Sequence, residues 1–131
     1  MKRFGYLAIV VYLTLVILLG GCADKIIIEE FPVCTNSAYQ DYPAISGNII
    51  VWLDARDAGF ESIYAYNIDQ KSEFSIYSIE RTQNDESTIA YPDVSGNIVV
   101  WQQLAGESEY DIWGYNLETN KAFAICTERG N

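Results

Sequence analysis

One eleven-residue stretch is written twice in this chain, and every paired position lies 49 residues apart. Tyr42-Pro43-Ala44-Ile45-Ser46-Gly47-Asn48-Ile49-Ile50-Val51-Trp52 is answered by Tyr91-Pro92-Asp93-Val94-Ser95-Gly96-Asn97-Ile98-Val99-Val100-Trp101. The offset persists beyond Trp: Ser62 to Ile68 matches Asp111 to Leu117, and Phe74 matches Phe123. A fixed period of this size confines the chain to stacked or radial repeats, in which each unit buries its apolar surface against the next.

Within the period the local signals are those of strands. Pro43 cannot donate a ladder hydrogen bond and so suits a strand start, which gives a short extended segment over Tyr42–Ser46. Ser46-Gly47-Asn48 is a tight turn, and Ile49–Trp52 is an apolar run of buried-strand type. Ser62–Ile68 alternates, with Ile63 and Ala65 on one face and Tyr64 and Tyr66 on the other. Glu73–Ile79 completes the unit. The second copy reads the same way through Ala90–Ser95, Asn97–Gln103, Tyr110–Leu117 and Lys121–Thr127. Four β-branched and aromatic strands per unit, separated by Gly, Asn and Asp turns, predict all-β structure built of four-stranded antiparallel sheets. A third copy of one element, Phe31-Pro32-Val33-Cys34-Thr35, precedes Phe74 by 43 residues and predicts a surplus strand.

A four-stranded sheet repeated every 40–50 residues is the pattern of a β-propeller blade. The runs Tyr-Pro-x-Ile/Val-Ser-Gly-Asn-Ile-x-Val-Trp, Asp111-Ile112-Trp113-Gly114-Tyr115-Asn116-Leu117 and Phe123-Ala124-Ile125-Cys126-Thr127 resemble the TolB-like propeller repeats of prokaryotic cell-surface proteins. The resemblance covers residues 31–131 and implies two blades, about 31–79 and 80–127, of an incomplete propeller. Closed propellers typically need four to eight blades. Either the chain is a piece of a longer propeller, or several copies complete a ring as a homo-oligomer.

The N-terminus is of a different character. Met1-Lys2-Arg3 is basic, Phe4 to Leu19 is almost wholly apolar, and Gly20-Gly21-Cys22 closes the segment, the layout of a secretory signal. It resembles a prokaryotic lipoprotein signal, which implies a signal peptide over 1–22, lipidation at Cys22 and a tether over 23–30. The alternative is an uncleaved anchor helix, since the apolar run approaches the ~20 residues that span a bilayer. Both place the remainder outside the cytoplasm, attached to the cell membrane.

Setting aside Lys2 and Arg3 leaves six basic residues against eighteen acidic ones. Nucleic acid is therefore not expected as a partner, because phosphate binding relies on Lys and Arg. Beyond Cys22, Cys34 and Cys126 occupy the same repeat position, filled by Tyr77 in the intervening copy. Equivalent positions two repeats apart exceed the Cα reach of a disulfide, so both are expected to be small buried strand residues.

Candidates for chemistry are few. Asp54, Arg56, Asp57 and Glu61 crowd one hairpin loop, where Asp54, Asp57 and Glu61 are weak candidates for a hard cation. The loop does not recur in the second copy and lacks the order of a calcium loop. Pairing of Arg56 with a neighbouring carboxylate is the simpler expectation, and no metal or cofactor is assigned. Trp52, Trp101, Tyr64, Tyr66, Trp113 and Tyr115 recur at repeat positions, as core packing requires. Among them Tyr64 and Trp113 are the first a ligand or partner would be expected to meet. The chain has no histidine, hence no Ser-His-Asp arrangement, and no phosphate-binding loop. The expectation is a non-enzymatic, membrane-tethered module for protein interaction or scaffolding, with unidentified envelope or surface proteins as partners. The alternatives are a carbohydrate-binding, lectin-like surface propeller and a truncated, non-functional piece of a propeller enzyme.

Overall fold

The computed structural model describes residues 28–81, 88–106 and 109–127. The apolar segment, Cys22 and most of the tether lie outside the described residues. The chain divides into two units, Met1–Phe31 and Pro32–Asn131. In the first, residues 28–31 carry no regular secondary structure. Among its described residues the second holds eight strands: β1 (Gln40–Ser46), β2 (Ile49–Asp54), β3 (Phe60–Asn67), β4 (Ser72–Glu80), β5 (Ile89–Ser95), β6 (Ile98–Leu104), β7 (Tyr110–Asn116) and β8 (Lys121–Cys126). They form two antiparallel four-stranded sheets in sequence order, β1-β2-β3-β4 and β5-β6-β7-β8. Among the described residues there is no helix.

The repeated residues set repeated backbone features. Gly47 and Gly96 take φ of 58° and 57° at the first central position of two-residue hairpin loops, where a II′ turn calls for glycine. In each first strand the Tyr-Pro dipeptide makes a bulge: the register shifts between Asp41 and Ala44 in β1, and between Ala90 and Asp93 in β5. Proline lacks the N–H that a continuous ladder would use, and the tyrosine before it turns left-handed, at φ 51° for Tyr42 and 53° for Tyr91. Left-handed backbone costs a non-glycine residue roughly 1–2 kcal/mol. Here it accompanies packing of the two rings against each other, with centroids 4.7 Å apart.

One face of the first sheet packs on one face of the second. Val51 and Leu53 of β2, Ile63 and Ala65 of β3 and Ile76 of β4 meet Ile89, Val94, Val99 and Trp101 of β5 and β6 in one buried cluster. The faces used are opposite in the two copies. Val51 and Leu53 alternate with Ile50 and Trp52, whereas Val99 and Trp101 stand at the repeat positions of Ile50 and Trp52. The sheets therefore stack front to back. Tyr77 reaches across to Trp101, centroids 5.0 Å apart, and Ser46 Oγ accepts a hydrogen bond from the Gly96 amide at 3.0 Å.

A second link is polar. Glu61, buried on β3, accepts hydrogen bonds from the backbone N–H of Thr88 at 2.6 Å and of Ile89 at 2.9 Å. One carboxylate oxygen thus satisfies two amides where the chain enters the second sheet.

Two expectations are corrected. Residues 31–35 form no strand; β1 and β4 are the edges of the first sheet, Pro32 lacks an N–H, and no described strand offers this element a ladder. Nor are Cys34 and Cys126 buried strand residues. Cys34 is half-buried outside any strand and Cys126 is exposed on β8, both as free thiols. Cys126 occupies the position of Tyr77, but no further sheet among the described residues covers it.

Replacing Glu61 by Ala removes the carboxylate oxygen that two buried backbone N–H groups donate to, at about 1–3 kcal/mol each. Urea unfolding of Glu61→Ala is expected to show a loss of about 2–6 kcal/mol, with a smaller loss for Glu61→Gln, whose amide oxygen still accepts. An unchanged midpoint for Glu61→Ala would show that the sheets are held without this bridge.

Candidate functional site

The outward face of the first sheet carries Ile50 and Trp52 on β2. The β-ladder sets Trp52 opposite Tyr64 on β3, and the two rings stack with centroids 6.1 Å apart. Trp52 is only 4% exposed, although it lies outside the inter-sheet cluster. A charged assembly covers it. Asp54 accepts the Trp52 indole N–H at 2.8 Å and the Arg56 backbone N–H at 2.9 Å. The Arg56 guanidinium donates to both Asp54 oxygens, at 3.0 and 2.8 Å. It also donates to Glu73 on β4 at 2.7 Å, lies 3.2 Å from Cys34 Sγ and sits 4.0 Å above the centre of the Tyr64 ring.

The chemistry of this assembly is containment. Burial pushes the Asp54 carboxyl up, but the hydrogen bonds from Arg56 and from the Trp52 indole outweigh it, and the group is held below its ordinary value. The same bonds, with those to Glu73, raise the Arg56 guanidinium. Both oxygens of Asp54 are occupied by donors, so they are not presented to a cation. Among the described residues no group of three or more His, Cys, Asp or Glu could hold a metal ion.

The acidic loop cluster seen in the sequence is thus divided. Asp54 and Arg56 join Glu73, Cys34 and Tyr64. Asp57 is exposed and uses its backbone carbonyl to accept the Phe60 amide, while Glu61 serves the entry to β5. Cys22 lies outside the described residues. Trp113, at the repeat position of Tyr64, is half-buried against the core cluster, and its indole N–H is buried without a hydrogen-bond partner. Tyr64 and Trp113 therefore do not form one site: the first lies beneath Arg56 and the second is packed against the core.

Sequence reasoning missed Glu73 and Cys34 as partners of Arg56. The signal was a joint departure from the repeat, since Asp54, Arg56 and Glu73 become Gln103, Ala105 and Ala122. In the second copy the Trp101 indole donates to neutral Gln103 at 3.4 Å, inside the stack where a charge would be costly. Beside the charged assembly a cavity of about 260 Å³ remains, lined by Val33, Cys34, Gln40, Asp41, Pro43, Ile50 and Trp52.

The second outward face is the reverse of the second sheet. Cross-strand pairing puts Asp93, Val100, Gly114 and Phe123 in one row, with Ile112 on the same face. A Cβ on Gly114 would stand 2.6 Å from the Phe123 ring and 3.1 Å from Ile125 Cδ1, so these side chains share that face. The corresponding side of the first sheet is the inter-sheet core. Ile76 there is 8% exposed, whereas Ile125 at the same repeat position is 51% exposed. This face has the composition of a core face and has no cover among the described residues.

Arg56→Ala is expected to cost about 2–3 kcal/mol in chemical unfolding. That lies at or below the low end for a broken buried pair, because Arg56 keeps some exposure. The pH dependence carries its own sign. The contribution of Asp54 is complete above its ordinary value of 3.8 and is lost as the pH falls through the lower folded value. Asp54→Asn is expected to flatten the acid limb of the stability curve below about pH 4; an acid limb identical to that of the parent would assign it to other carboxylates. No protein-family model and no curated protein matches this chain.

Proposed function

We propose that the chain is a membrane-tethered, extracytoplasmic β-propeller module that engages proteins through the uncovered face of its second sheet, without catalysing a reaction. The carrying observation is the exposure contrast between Ile76 and Ile125 at one repeat position. An apolar face that is core in one copy and open in the next has the character of an interaction surface. The front-to-back stacking of two four-stranded sheets supports the blade reading, in which each sheet presents one face forward and one back. The tether rests on the sequence, through the basic head, the apolar run and Cys22. The absence of histidine from the chain supports a non-enzymatic role.

A carbohydrate-binding role would draw on exposed aromatic faces. Tyr64 is covered by Arg56 and Trp113 packs on the core cluster, so this reading gains no support from the candidates that suggested it.

The test is a photo-crosslinking amino acid placed at Ile125 in cells producing the full chain, with Ile45 as control. Ile45 is 63% exposed but lies on the first sheet. A discrete protein adduct from position 125, absent from position 45, is the expected result. No protein adduct from position 125 would overturn the reading.

A further inference from the structure

We infer that the open face of the second sheet is covered by the same face of a second copy of this chain, giving a two-fold symmetric dimer; this rests on the reading of that face as a docking surface. The first sheet shows what such a face requires. Val51, Leu53, Ile63, Ala65 and Ile76 are all buried by a neighbouring sheet. Their counterparts Val100, Gln102, Ile112, Gly114 and Ile125 have the same layout and no such neighbour among the described residues.

A second copy could supply that neighbour in two ways. Front-to-back addition would use the outward face of its first sheet. There, however, Trp52 lies beneath Arg56, with the guanidinium fixed by Asp54 and Glu73 and in contact with Cys34. What remains open there is the 260 Å³ cavity, room for a side chain or two, and the short row Ile45–Ile50–Tyr66, in which Ile45 is 63% exposed. A sheet face of four strands and six residues measures roughly 19 by 20 Å. The surface of a second copy that matches it in extent and composition is its own open face. Isologous contacts of this kind are the commonest among homo-oligomers.

The charges at the edges of the face fit such a pairing. Asp93 on β5 and Lys121 on β8 stand at the repeat positions of Ala44 and Ser72, and both are exposed. The order β5-β6-β7-β8 places them at opposite edges. Lys121 pairs with Asn116, and Asp93 belongs to the row containing Gly114 and Phe123, so the two lie one alternation apart along the strands. A two-fold axis parallel to the strands lays the β5 edge of each copy over the β8 edge of the other. Asp93 of one copy then comes within reach of Lys121 of the other, twice. Two faces of roughly 400 Å² in projection fall at the low end of specific interfaces, so the dimer is a dissociable one.

Sedimentation equilibrium of the full chain in density-matched detergent tests this across the micromolar to submillimolar range. The expected result is a reversible monomer–dimer equilibrium that Ile125→Asp abolishes. Lys121→Glu is expected to weaken it about tenfold through like-charge contact, and Asp93→Lys combined with Lys121→Glu to restore it. A monomer at every concentration, a dimer that survives Ile125→Asp, or an oligomer larger than a dimer would overturn the inference. The in-cell adduct at position 125 separates this outcome from the broader reading. An adduct with a different protein, beside a monomer in sedimentation, removes the dimer and leaves the docking surface. A monomer with no protein adduct removes both.

Discussion

Each sheet in this protein has two faces that water penalises, and the covering of four such faces by two sheets dominates its physical chemistry. A single antiparallel sheet commonly packs one face and wets the other, with polar residues alternating outward. Here the alternation is apolar with apolar: Ile50 and Trp52 between Val51 and Leu53, Val99 and Trp101 beside Val100. One contact, front of the first sheet to back of the second, covers two faces. It buries Val51, Ile63, Ala65, Ile89, Val99 and Trp101 almost completely. The remaining two faces are treated differently, and that difference gives the stack its polarity.

At the back of the first sheet, charge covers the aromatic pair Trp52 and Tyr64. Asp54 alone would be unfavourable at its observed burial, because an unpaired carboxylate loses far more hydration than packing returns. Arg56 makes it tenable by donating to both oxygens while its planar face lies on Tyr64, a geometry an ammonium could not reproduce. Glu73 and Cys34 complete the surroundings of the guanidinium. The same positions inside the stack are Gln103, Ala105 and Ala122, neutral and mostly small, where a sheet rather than solvent lies opposite. Stacked repeats generally require a polar outer surface at their ends, and this assembly supplies one at a single end.

Much of the fold was legible in the sequence because strands and hairpins are local. The alternation at Ile63 to Tyr66, the Gly47-Asn48 turn and the Tyr-Pro strand starts carry their meaning within a few residues, and all eight strands fall where the repeat placed them. Residues 31–35 misled because their pattern copies a strand that exists elsewhere only beside a β3-type neighbour; propensity without a ladder makes no strand. The charged assembly was half legible. Asp54 and Arg56 are two residues apart where β2 ends, but Glu73 lies 17 residues beyond Arg56 and Cys34 lies 22 before it. Such contacts depend on how β4 and the lead-in are placed around the sheet, which spacing does not encode. The loop cluster that looked like one acidic site divided because Glu61 sits at the start of β3 and serves the entry to β5, not the Arg56 side.

The front of the second sheet is where the repeat and the environment disagree. Identical positions should have similar exposure if they served the same purpose, and Gly114 and Phe123 do keep the cross-strand pairing of Ala65 and Phe74. Yet Leu53 has become Gln102, Ala44 has become Asp93, and Ser72 has become Lys121, while Ile112, Val100 and Ile125 stay apolar. A face abandoned to water would lose its aliphatic residues, and a face always covered by a blade of the same kind would have no use for charge at both edges. An apolar centre with a charged rim is the composition of an interface that forms and dissociates. On the proposed reading, the chain covers much of one end with its own side chains, and the other end is the surface that meets a partner.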